Sequence, residues 1–499
     1  MIFNSLTFLL FLVVLTALYW CLPRRPRLYT LFFASLLFYG FWRYEFIILL
    51  LISIGTDFLA SRAIDATTNE TRRRAFLILS ITINLLLLFV FKYLIFFVDT
   101  LNGLGQALGY GPEPAFSVPL HIILPLGISF YTFQSISYTV DVYRRFIKPE
   151  PDFILFATYV IFFPQLVAGP ILRAKEVIWQ LADRPPFDPR VFADGLRRIL
   201  SGLFLKCILA DNIAPLVDRG FAADPATLGA LDVLTLSFLF GFQIYFDFAG
   251  YSFIAIGIAG LLGIRFPDNF NYPYLSQSPR EFWQRWHISL SSWIRDYLYL
   301  PLCGVNVHDR STGGLVVEDG ATGTNTRRNR SLWITWSLMG FWHGANWTFV
   351  AWGLWHAALI TVQRASKRLL PQLKIPPVLA WMMTLPLIML GWIPFRAETL
   401  DQAGAMLMRL LTPQAYVKPD VAHGLLPALL FNLQRDTHYV SALLLLLVVA
   451  AWALQRTLQP TLDKYLQARS LADFIFFATA APLVYVFLRP IQQFIYFQF

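Results

Sequence analysis

Long apolar runs recur from one end of the chain to the other, broken by short polar connections. "LILSITINLLLLFVFKYLIFF" (77–97) shows no alternation of apolar and polar positions. It predicts a membrane-spanning helix, because barrel strands alternate. The same pattern predicts spans near 2–22, 28–42, 46–62, 75–98, 120–142, 199–217, 229–262, 378–395, 441–458 and 471–490. The first run has no basic leader and is long enough to span, so it reads as a helix rather than a cleaved signal. The fold class is therefore all-α: a polytopic integral membrane protein of about 11–12 transmembrane helices, with re-entrant and amphipathic helices besides. No internal repeat is visible, which weakens a transporter reading.

Basic clusters sit at alternate connections: "PRRPR" (23–27), "TRRR" (71–74) and "YRRFIK" (143–148). Lys and Arg gather on the cytoplasmic side, so the N-terminus is expected outside. Two later segments break the alternation. "FILFATYVIFFPQLVAGPILR" (153–173) carries Pro164, Gly169 and Pro170 and has basic residues at both ends. It reads as a re-entrant element, or alternatively as a Pro-kinked span; irregular backbone at membrane depth must be covered by protein or water. Residues 331–363 also lie between basic clusters, and a hairpin turning at Gly340, Gly344 and Asn346 is expected. Each arm is then about 16 residues, or about 24 Å of helix, against about 30 Å of hydrocarbon. "SPREFWQRWHISLSSWIRDYLYLPL" (278–302) reads as one amphipathic helix, at the membrane surface or as a half-buried lid. Its apolar stripe holds Trp283, Trp286, Leu290, Trp293, Ile294 and Tyr297, with His287 on it. The loop 304–330 reads as polar and cytoplasmic. Three regions are expected: 1–120 of N-terminal helices, a catalytic core at 121–370, and 371–499 of C-terminal helices with an outer loop at 396–440.

Composition agrees. Of 499 residues, 57% are hydrophobic and 14% charged, where soluble chains carry about a quarter charged. The formal charge of +10 is dispersed among spans, which argues for topology and against nucleic-acid binding. Cys21, Cys207 and Cys303 are scattered and form neither a disulfide framework nor a metal site.

Ionisable groups inside a membrane are costly and are functional candidates. His343 lies where the hairpin turns, and a neutral imidazole there is a candidate general base. For His343 and His287 the competing reading is a hydrogen-bonded structural residue. His356, 13 residues after His343, points elsewhere on a continuous helix. His121, His308, His423 and His438 read as interfacial or loop residues. "GFQIYFDFAGYS" (241–252) places Gln243, Tyr245, Asp247 and Tyr251 in an apolar span. Gln243, Asp247 and Tyr251 share a face, as a passage lining or as a helix-packing network. "LADN" (209–212) reads as an interfacial cap. Phosphate-loop, dinucleotide, zinc-protease and nucleophile-elbow motifs are missing.

Several stretches resemble the membrane-bound O-acyltransferases, in their alginate O-acetylation branch. They are "LPLGISFYTFQSISYTVDVYRR" (124–145), "FFPQLVAGPILR" (162–173), the block from Tyr245 to Leu302, "GFWHGANWTFVAWGLWHA" (340–357) and "FIYFQF" (494–499). The resemblance implies helices ringed around a thinned centre with a central passage. It implies catalytic roles for His343 and His287, the former as general base or transient acyl carrier. Trp342, Asn346, Gln243, Tyr245, Asp247 and Tyr251 become candidates for the passage, and Arg285 and Arg295 for donor binding, or alternatively for interfacial anchoring. No bound cofactor or metal is implied. The donor is a cytoplasmic thioester, acetyl-CoA or an acyl carrier protein. The acyl group then passes through the inner membrane to a periplasmic acetyltransferase of the SGNH-hydrolase-like type or to a hydroxyl acceptor, and on to an exported polysaccharide. D-alanyl transfer, a transporter and a scaffold of a secretion complex are the alternatives. Two departures stand out. Phe253 occupies a position that is often acidic in the family, beside Ala249 in place of serine, and "PLCGVN" (301–306) precedes a longer polar loop.

Overall fold

The computed structural model describes residues 1, 3, 5–110, 116–117, 122–166, 169–183, 186–305, 307–310, 314–317, 325–416, 439–447, 449–450 and 477–484. The chain runs through α1 (Leu6–Cys21), α2 (Arg24–Gly40), α3 (Ile47–Ala66), α4 (Glu70–Leu88), α5 (Leu94–Ala107), α6 (Ile128–Tyr143), α7 (Phe153–Ile161), α8 (Phe163–Leu166), α9 (Ala174–Asp183), α10 (Pro189–Leu203), α11 (Asp211–Ala222) and α12 (Ala230–Leu261). Next come α13 (Pro279–Arg285), α14 (Ile288–Ile294), α15 (Leu300–Cys303) and an antiparallel hairpin of β1 (Val307–Arg310) and β2 (Gly314–Val317). The trace closes with α16 (Asn325–His343), α17 (Trp347–Leu369), α18 (Pro377–Arg396) and α19 (Leu400–Leu411).

Among the described residues five helical stretches are long and apolar enough to cross a bilayer: Tyr44–Ala66, Glu70–Ala107, Pro189–Ala222, Ala230–Leu261 and Pro377–Arg396. The protein is thus a multi-pass helical membrane protein. Two of these stretches are continuous only through π-helical turns, Phe89–Tyr93 and Phe204–Ala210. Such a turn inserts a residue without ending the helix. This corrects two expectations. Residues 99–107 continue a helix rather than opening a loop, and 209–212 lie inside a continuous helix instead of capping one at an interface. Of the expected spans at 441–458 and 471–490, residues 441–447, 449–450 and 477–484 are described and are helical. In the expected outer loop 396–440 the described stretch 396–416 carries α19, a helix rather than a loop, while 417–438 lie outside the described residues, as do His121, His423 and His438. Within the expected loop 304–330 the chain forms the β-hairpin, with His308 on β1, and enters α16 at Asn325.

The structure divides into two compact units. One comprises 1–199, 252–268 and 292–323; the other comprises 200–251, 269–291 and 324–499. In the first, α3, α4 and α6 pack around Asp57, which is fully buried. Its carboxylate accepts hydrogen bonds from Ser80 Oγ (2.5 Å), Asn84 Nδ2 (3.0 Å) and Thr139 Oγ1 (3.4 Å). Asn84 Oδ1 accepts in turn from Ser53 Oγ at 2.6 Å.

The segment 153–173 is broken, as its prolines and glycine predict. The break falls at Phe162 (φ −52°, ψ 108°), one residue before α8, and Leu155 to Phe163 are all buried. Side chains serve the carbonyls that this break frees. Gln134 Nε2 and Gln165 Nε2 donate to Tyr159 O, and Tyr159 Oη donates to Leu172 O. Irregular backbone is tolerated here because protein groups satisfy it.

The segment 278–302 departs from the single amphipathic helix its stripe predicts. It breaks into α13, α14, a π turn at Arg295–Tyr299 and α15. On the face outside the stripe, which holds Arg285, Ser289, Ser292 and Asp296, Ser289 and Asp296 are buried. In the first unit Asp296 is held by Arg173 (2.6 Å) and Arg295 (2.7 Å). A buried carboxylate with two guanidinium partners looks from sequence like a solvated one, and that similarity misled the helical-wheel reading.

Candidate active site

The candidate residues of the second unit are built around the α16–α17 hairpin. The chain reverses at Gly344, Ala345 and Asn346, within the predicted stretch. Asn346 starts α17 as its N-cap, its Oδ1 accepting from Thr348 N at 3.0 Å. Its Nδ2 donates to Glu398 O at 2.9 Å, which ties the turn to the segment after α18. Asn346 is therefore engaged as a cap and cross-link. Two glycines let the arms close. A Cβ on Gly340 would lie 2.3 Å from Phe349 O, and one on Gly353 would lie 2.2 Å from Trp336 O. The close approach sets where His343, the last residue of α16, comes to rest.

His343 is 4% exposed. Trp342 and Trp352 lie at 4.9 Å from its ring and Phe395 at 5.4 Å, all tilted or edge-on. Trp352, from one turn into α17, is the wall between His343 and His356, whose ring lies 5.0 Å from it. The expectation that His356 points away is corrected. The angular argument assumes one continuous helix, and the two histidines sit on opposite arms of a hairpin. His356 is fully buried and its Nδ1 faces the Trp283 indole N–H at 3.3 Å. An indole N–H can only donate, so Nδ1 accepts and the ring proton sits on Nε2. That Nε2 and the indole nitrogens of Trp352 and Trp392 have no hydrogen-bond partner among the described residues.

His287 is fully buried. It occupies the break between α13 and α14 in a left-handed conformation (φ 42°). A non-glycine residue there is strained and needs surrounding structure to hold it. The preceding loop does so: Asn271 N donates to Arg285 O and Ile288 N to Asn269 O, both at 2.9 Å. Phe248 of α12 stands edge-on to the imidazole at 4.6 Å. A run of rings (Phe270, Trp286, Trp392, Phe395) links His287 to His343, with steps of 5.0 to 6.5 Å.

The polar residues of α12 separate by face. Gln243, Asp247 and Tyr251 are buried. Asp247 is bound to Lys206 at 2.6 Å, and Lys206 also holds Asp211 at 2.8 Å. Lys206 was missed in the sequence reading, although a lysine in the apolar run "LFLKCIL" is itself a signal. Tyr245 faces elsewhere and packs on Phe270, Tyr274 and Trp286, near the His287 loop. Arg285 pairs with Glu281 at 2.8 Å. In the other unit Arg295 is 58% exposed, with Asp296 as its partner.

Comparison with known proteins decides the family. The model of the membrane-bound O-acyltransferase family matches residues 82–315. The "Probable alginate O-acetylase AlgI" of Azotobacter vinelandii is 40% identical, over 81% of this chain and 77% of its own. The chain belongs to the membrane-bound O-acyltransferase family. This acyltransferase is also 40% identical to the Pseudomonas aeruginosa protein of the same description, over 81% of this chain and 74% of that one. The "Peptidoglycan O-acetyltransferase" of Helicobacter pylori is 36% identical, over 76% and 73% respectively. The matched family region contains His287 and ends before His343.

Proposed function

We propose that this acyltransferase moves an acetyl group from a cytoplasmic thioester, acetyl-CoA, through the inner membrane. The acceptor is a periplasmic acetyltransferase of the SGNH-hydrolase-like type, or the hydroxyl of an exported polysaccharide such as alginate. His343 is the reacting group, as general base toward the acceptor hydroxyl or as transient acyl carrier. His287 is the second functional histidine.

The observation that carries this reading is the burial of His343 at a hairpin vertex, walled by Trp342, Trp352 and Phe395 and shielded from bulk water. A thioester needs no metal to be attacked, and a neutral imidazole in a dry site is a competent base or nucleophile. The buried N–H of Trp352 belongs to a ring beside His343, and Trp392 and His356, whose N–H groups are also buried, pack against Trp352. Donors of this kind suit the carbonyl of an acyl group as negative charge develops on it. Gln243, Tyr251 and Trp342 are assigned to the passage, and Arg285 and Arg295 to the donor side.

The test is single-turnover transfer by purified protein with radiolabelled acetyl-CoA and an acceptor. Wild type is expected to release free CoA and label the acceptor, and His343→Ala to do neither. An equal rate in His343→Ala overturns the assignment. Activity with a D-alanyl carrier protein and none with acetyl-CoA moves the enzyme to the D-alanyl branch.

A further inference from the structure

We infer that Asn269 is the positioning residue that fixes the tautomer of His287, so that Nε2 presents its lone pair to the reaction. The inference rests on the functional reading of His287 above.

The argument is a chain of obligatory donors. Asn269 is fully buried in the loop after α12. Its Oδ1 lies 3.2 Å from Ser289 N, 2.9 Å from Ser289 Oγ and 3.1 Å from His287 Nδ1. A backbone N–H can only donate, so the amide atom facing Ser289 N is the oxygen. The imidazole nitrogen facing that oxygen must then carry the hydrogen. Nδ1 is the N–H, and Nε2 is left as an acceptor. This is the opposite of His356, where the Trp283 indole makes Nδ1 the acceptor. Two buried histidines are thus set to contrary tautomers by the donors and acceptors in their surroundings.

The loop also explains how a side chain so far back in sequence reaches the ring. His287 precedes α14 and occupies its N-cap position, yet its own side chain is committed elsewhere. Asn269 caps α14 in its place by accepting from Ser289 N, and Ile288 N returns a bond to Asn269 O. One amide thereby satisfies the helix start and orients the imidazole. The strained φ of His287 is the conformation this double attachment requires.

His287 Nδ1 faces Asn269 Oδ1 at 3.1 Å and Ser289 Oγ at 3.4 Å; that hydroxyl donates to Oδ1 at 2.9 Å, so both polar contacts accommodate a hydrogen on Nδ1. Phe248 and Phe270 face the ring from α12 and the loop. Asp247, beside Phe248, is engaged with Lys206. Arg285 of α13 is paired with Glu281, and Tyr245 packs on Phe270.

Asn269→Asp is the informative change because an aspartate keeps the acceptor for Ser289 N while placing a carboxylate beside the imidazole. The carboxylate favours imidazolium, so the pKa of His287 rises. Activity that needs the neutral ring is then lost at higher pH as pH falls. The acid limb of kcat is expected to move up by about one pH unit or more, with thermal stability near wild type. Asn269→Ala removes tautomer control and is expected to lower kcat by about tenfold at unchanged KM. Independently of activity, 15N NMR of histidine-labelled wild type in detergent is expected to show His287 protonated at Nδ1. A His287 protonated at Nε2, or an Asn269→Asp profile that superimposes on wild type, overturns the assignment. His287→Gln separates the two readings. Full turnover there overturns the role of His287 itself, while a dead His287→Gln beside an unshifted Asn269→Asp profile overturns the role of Asn269 alone.

Discussion

Asp57 and His343 are both buried polar residues in a membrane protein, and their surroundings differ in kind. Around Asp57 the packed helices α3, α4 and α6 supply donors from Ser80, Asn84 and Thr139, and Asn84 is served by Ser53. Around His343 the neighbours are rings, and the N–H groups of Trp352, Trp392 and His356 find no partner among the described residues. An unmet buried donor costs about 1–3 kcal/mol. The lesson is that burial alone does not mark function. A polar group with its bonds complete holds helices together, whereas donors left open next to a buried imidazole make a candidate site.

That contrast is open to direct attack. The largest effect belongs to His343→Ala, expected to lower acyl transfer by about 10³-fold with little change in the unfolding transition, measured by turnover and detergent-phase thermal melts. A large loss of stability with residual activity per folded molecule would make His343 resemble Asp57. Next is Lys206→Met, which leaves Asp211 and Asp247 buried without their cation. It is expected to cost about 3–5 kcal/mol of stability, read by denaturant unfolding, and Lys206→Met combined with Asp247→Leu should recover part of the loss. Gly353→Ala drives a methyl group into Trp336 O. It is expected to cost about 1–3 kcal/mol and to lower turnover as well, because it shifts the arm that places His343. Ser80→Ala is the smallest, about 1 kcal/mol of stability with turnover per folded molecule unchanged. A large loss of turnover there would assign the Asp57 network to the reaction.

Much of the framework of the candidate site is legible in the sequence. The hairpin at 331–363 followed from basic clusters at both ends and glycines between them, and the reversal lies at Gly344 to Asn346. The break in 153–173 followed from Pro164, Gly169 and Pro170. What was misread came from treating helices as unbroken. The stripe in 278–302 is real as a pattern, but His287 sits in a left-handed break that no periodicity announces. His356 was judged by its angle on a helix that reverses before reaching it. Asn269 carried no signal at all, since its role exists only where a loop 18 positions earlier folds against α14.

The sequence by itself determined the solvent of this protein, its helical class, its family and the residues with chemistry to offer, because those depend on composition, on local periodicity and on motif. The tertiary structure alone decided which nitrogen of His287 and of His356 holds the proton and which polar atoms go unmatched among the described residues. Those properties depend on partners distant in sequence, and a hydrogen bond is assigned only when donor and acceptor have been brought within about 3 Å.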